Sequence, residues 1–125
     1  MIWMLIFTVF LQDCKQMSDR FHLNELLDVY GPLLTAKQQK IADLYLREDC
    51  SYQEIAQMEG ISRSAVYDTI HKCTTELENY EALLGIVTQS RKRIALYGQI
   101  EKLTQDNNIL VLLEELRKTE TQEVL

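Results

Sequence analysis

Turn-forming residues are scarce: the chain has one proline, Pro32, and four glycines in 125 residues. Hairpins and sandwiches need such punctuation at short intervals, so its scarcity makes an all-helical chain the expected class. Positive charge is also in short supply. Thirteen Lys and Arg stand against nineteen Asp and Glu, a net charge of −6, and an acidic surface opposes non-specific attachment to phosphates. Cysteine is limited to Cys14, Cys50 and Cys73, an odd number without paired spacing, which argues against a disulfide framework and for reduced thiols in a cytoplasm. No zinc site is expected, because His71 and Cys73 lie two positions apart and diverge on a helix. No Ser/His/acid or Cys/His arrangement and no glycine-rich phosphate loop is visible, so neither a catalytic residue nor a cofactor is expected. The hydrophobic content of 46% is that of a folded globular chain. Its length fits one domain, or one domain with a helical extension.

The opening "MIWMLIFTVFL" is apolar, but no basic residue precedes the run and it is too short to span a membrane. No membrane association is expected. Gln12 and Asp13 stand where a lipoprotein cleavage site before Cys14 needs small residues. The sequence turns ordinary at Met17, in "MSDRFHLNELLDVYG". The expectation is that Met17 is the natural start and that residues 1–16 are an upstream extension, followed by a domain over 17–85 and C-terminal helices over 86–125.

Apolar spacing marks the helices. Leu23, Leu26, Leu27 and Tyr30 share one face of a short first helix stopped by Gly31 and Pro32. Thr35 and Gln38 form a capping box opening a second helix with Ile41, Leu44 and Tyr45 on its stripe, broken at Asp49 to Ser51. Ser51 and Glu54 form another box, opening a short helix with Ile55, Ala56 and Met58 that ends at Gly60. Ser62 then caps a helix in which Val66, Ile70, Cys73 and Leu77 recur, prolonged by Tyr80 and Leu84. Beyond Gly85, Val87, Ile94, Tyr97 and Ile100 mark one face of a long helix. "TQDNN" breaks the chain, and Ile109 to Leu116 makes a last amphipathic helix.

The middle helices carry a helix-turn-helix pattern. Ala56 is small where two helices approach closely, and Gly60 suits a left-handed turn. Ile61 plugs the angle between the helices and Val66 packs back from the second. An αα-hairpin with the same apolar spacing and no role on DNA is the alternative.

"LLTAKQQKIADLYLREDCSYQEIAQMEGISRSAVYDTIHKCTTELE" resembles region four of bacterial sigma factors. With "LLDVYGPLLTAKQ", "AVYD" and "LENYEALLG", the stretch from Phe21 to Leu84 is closer still to the YlxM-type proteins encoded beside signal recognition particle genes. The resemblance implies a cytoplasmic, all-α, sigma-region-four-like (or winged-helix-like) core of three to four helices with a C-terminal helical extension. It also implies a regulator or accessory factor of the targeting pathway. Carried over by position, Arg63, Ser64, Ala65 and Asp68 would face the major groove. Tyr67 and His71 would add contacts to bases, and Lys72, Lys37, Lys40 and Arg47 would serve phosphates. Two departures oppose this. Ala65 offers no hydrogen bond, and Asp68 repels phosphate. Residues 35–80 hold five Lys and Arg against eight Asp and Glu.

Arg91, Lys92 and Arg93 form the one dense basic cluster, and three successive helical residues fan out rather than build a stripe. The C-terminal helices hold more apolar side chains than one neighbour covers, from Leu83 to Leu116, which points to a homodimer. Two functions follow from different classes: a DNA-binding regulator, or an interaction module docking a basic protein or ribonucleoprotein of the targeting machinery.

Overall fold

The computed structural model describes residues 2–120, without the side chains of residues 7–18. The expected all-α class is borne out: six α-helices and one 3-10 turn, with no strand and therefore no wing among the described residues. The helices are α1 (Ile2–Tyr30), α2 (Ala36–Leu46), α3 (Tyr52–Glu59), α4 (Arg63–Leu84), α5 (Ile86–Leu103) and α6 (Asn107–Glu120), with the 3-10 turn at Gly31–Leu33. Among the described residues, no helix is long and apolar enough to cross a membrane. The chain divides into two compact units, Met1–Asn79 and Tyr80–Leu125.

In the first unit, α1 ends where Gly31 and Pro32 predict. It is not short, however, and runs for 29 residues, because nothing upstream of Gly31 is a glycine or proline to interrupt it. Among its described side chains Leu26, Leu27 and Tyr30 are buried, and Leu23 is half-buried. Polar side chains of α1 satisfy the end of α2: Asn24 Nδ2 donates to the Leu46 carbonyl at 3.2 Å and Arg20 Nη2 to the Tyr45 carbonyl at 2.6 Å. These carbonyls are among the four that a helix C-terminus leaves unpaired.

The α2 capping box is complete, with the Gln38 N–H donating to Thr35 Oγ1 at 3.2 Å and the Thr35 N–H to Gln38 Oε1 at 3.0 Å. At α3 only half of the box forms. Ser51 Oγ accepts from the Glu54 N–H at 3.1 Å, but the Glu54 carboxylate takes the Ser51 hydroxyl instead of its backbone N–H. Gly60 closes α3 at φ 66° and ψ 34°, so that its own N–H and that of Ile61 converge on the Ala56 carbonyl. That left-handed step costs glycine little. Ser62 then caps α4 by accepting from the Ala65 N–H at 3.1 Å.

These turns bring Ile41, Ile55, Ala56, Val66 and Ile70 into one buried cluster, with Leu44, Tyr45, Cys50, Tyr52 and Ile61 against it. Each fully buried branched side chain there contributes about 1.5–3 kcal/mol. Cys73 is buried too; its thiol donates to the Gln38 carbonyl, and burial pushes it up to about 11.

In the second unit, Gly85 takes a left-handed turn at φ 61°. The Glu81 carboxylate caps α5 from the preceding turn, accepting from the Val87 N–H at 3.0 Å, the Thr88 N–H at 3.1 Å and the Thr88 hydroxyl at 2.9 Å. Of the expected α5 face, Val87 and Tyr97 are buried, while Ile94 and Ile100 stay exposed. Glu120 of α6 accepts from Ser90 at 2.6 Å, from Arg93 Nε at 2.6 Å and from the Tyr97 hydroxyl at 3.0 Å. The Arg93 guanidinium, ahead of the Ser90 hydroxyl, holds that carboxyl down at about 2.

Candidate nucleic-acid interface

The core stripe of α4, Val66, Ile70, Cys73 and Leu77, fixes which side of the helix faces away. Ser64, Tyr67, Asp68 and His71 follow at the same three-and-four spacing on the opposite side, and all four are exposed. The helix thus presents a hydroxyl, a phenol, a carboxylate and an imidazole in one row. Arg63 stands exposed in the first turn, with no ion pair among the described residues. Lys72 is exposed one position beyond His71, and Lys37 is exposed in the first turn of α2. Ala65 is half-buried, and its carbonyl accepts the Thr69 hydroxyl at 2.8 Å, so it is not part of the row.

Two cations expected near phosphates are already engaged. Lys40 pairs with Glu59 at 3.0 Å, and Arg47 with Asp28 at 2.6 Å and Asp43 at 3.2 Å. Their availability to a polyanion is reduced accordingly.

A ladder of half-buried aromatic rings runs from α2 to the outward row. Tyr45 of α2 stacks on Tyr52 of α3 with centroids 5.1 Å apart, and Tyr52 meets Tyr67 of α4 edge-on at 5.8 Å. Tyr67 in turn stacks on His71 at 4.6 Å. Arg20 of α1 closes the inner end, its guanidinium carbon 4.8 Å from the Tyr45 ring centroid. Burial, and then the hydrogen bond to Tyr45, push the Tyr52 hydroxyl up to about 12. Tyr52, Arg63, Ser64 and Tyr67 line an open cleft of about 560 Å³. Sequence reasoning missed Arg20, Tyr45 and Tyr52 as supports of the row. The one local signal was the four-residue interval between Tyr67 and His71, which makes two side chains neighbours on a helix.

A short capped helix, α3, joined through a left-handed glycine to the longer capped α4, with a polar row facing away from their shared core, defines a helix-turn-helix protein. The chain belongs to the UPF0122 family, described as "Putative helix-turn-helix protein, YlxM / p13 like", which it matches over residues 17–116. It is 39% identical over 100 residues to a UPF0122 protein of Clostridium kluyveri, covering 77% of this chain and 90% of that one. A UPF0122 protein of Symbiobacterium thermophilum is 38% identical over 86 residues, covering 69% and 80%. One from Oceanobacillus iheyensis is 34% identical over 95 residues, covering 76% and 90%. The YlxM-type resemblance is therefore borne out.

Proposed function

We propose that this protein is a non-enzymatic, cytoplasmic DNA-binding regulator that lays the N-terminal half of α4 in the major groove. The exposed row Ser64, Tyr67, Asp68 and His71 on a helix-turn-helix core, headed by Arg63, carries this reading. Arg63 takes the two-pronged contact to guanine that its planar fork favours, and Asp68 accepts from a cytosine amino group. Ser64, Tyr67 and His71 add hydrogen bonds or contact a thymine methyl, and Lys37 and Lys72 hold phosphates. A homodimer would read two half-sites. The link to the signal recognition particle pathway rests on the YlxM-type resemblance. The test is binding to fragmented genomic DNA at low salt, followed by the Arg63→Ala variant on the selected site. Arg63→Ala should weaken the specific complex by about 1–3 kcal/mol. Absence of any fragment bound above the non-specific level ends the proposal.

The net charge of −6 and the carboxylate of Asp68 within the row favour a second reading. In it the same face docks a basic protein or a ribonucleoprotein of the targeting machinery. A partner retained by the immobilised protein after nuclease treatment, and lost with Asp68→Lys, supports that reading against DNA.

A further inference from the structure

The unit from Tyr80 to Leu125 buries only Val87, Tyr97 and Leu113 among its described residues. A helical hairpin of this size does not hold itself together on so small a core. Its helices run antiparallel, since Arg117 pairs with Glu101 while Glu120 reaches back to Ser90 and Arg93. Tyr97 marks the side of α5 that faces α6; Leu113 and Glu120, seven residues apart, mark the reciprocal side of α6.

A second apolar row lies beside each of these. Leu96, Ile100 and Leu103 recur at intervals of four and three on α5, and Ile109, Leu112 and Leu116 at three and four on α6. This is the rhythm of a coiled-coil seam. At about 100° per residue, the first row lies roughly 90° round α5 from Tyr97 and the second roughly 60° round α6 from its facing side, in the same rotational sense. In antiparallel helices an equal sense places both rows on one side of the hairpin. All six are exposed, from 39% at Ile109 to 87% at Leu103. The opposite side carries Arg91, Glu114 and Lys118 beside the exposed Ile94 and Val111.

We propose that a second copy of this chain covers the face, two α5–α6 hairpins closing into a four-helix bundle about a two-fold axis. Two rows of equal length, built only of Leu and Ile, give a surface that complements itself when α5 of one copy lies over α6 of the other. The six side chains leave roughly 600 Å² uncovered per copy, so pairing removes roughly 1,200 Å² before any polar rim is added, the lower bound of specific interfaces. The association does not depend on DNA.

The test is molar mass by light scattering on the full chain across 1–100 µM, with far-UV circular dichroism as the check on folding. Wild type should run at twice its 14.6 kDa. Ile100→Lys with Leu112→Lys, and separately the milder Leu116→Gln, should halve that mass or raise the dissociation constant at least tenfold while helicity is kept. Val111→Lys, on the far side of α6, should change nothing. Wild type that stays monomeric at 100 µM, or a dimer that survives the seam variants or is equally broken by Val111→Lys, overturns the proposal. A monomer at every concentration would mean that the face serves a different partner or folds against its own chain.

Discussion

Single residues set the angle at which the two central helices meet. Gly60 sits at φ 66° with nothing within 4 Å of the position a Cβ would occupy, so a substitution there meets backbone strain and no clash. Gly60→Ala should cost about 1–2 kcal/mol in urea unfolding, the usual penalty for an L-residue in the left-handed region. Glu120 acts at the other end of the chain, with its side chain only 7% exposed. Arg93 holds its folded-state value at about 2, below the ordinary 4.5. Its contribution is therefore complete above about pH 4.5 and is lost as the pH falls toward 2. Glu120→Gln should remove that acid-sensitive component, measured as the slope of unfolding free energy between pH 5 and pH 2.

At the level of elements, α3 has eight residues, too few to persist without its caps and its packing. Ser51→Ala should destabilise the first unit by about 1 kcal/mol in chemical denaturation, and Ile55→Ala, at the centre of the buried cluster, by about 2–5 kcal/mol. These features were legible in the sequence because each is local: a cap and its partner lie three residues apart, and the αL glycine follows Ala56 by four. The start of α1 was not legible, since it has neither a cap nor a breaker to announce it. Nor were the Arg20–Tyr45 tie, the aromatic ladder or the Glu120 clamp. Arg20 and Tyr45 are 25 residues apart and Ser90 and Glu120 are 30 apart, and only the tertiary arrangement brings such pairs together. Arg91, Lys92 and Arg93 read as one cluster in the sequence, but Arg93 is committed to Glu120.

For the whole molecule, charge limits how DNA can be held. If Lys37 and Lys72 are the cations that meet phosphates, log K should fall with log salt at a slope of about −2, far shallower than for a basic reader. A titration between 50 and 300 mM salt measures it. Trp3 is the sole tryptophan and is 86% exposed, so indole emission will be nearly blind to events at α4. The coupled rings from Tyr45 to His71 supply the missing reporter. Their chirally fixed contacts should give a near-ultraviolet dichroism band, and a ligand laid across Tyr67 would perturb it without any label.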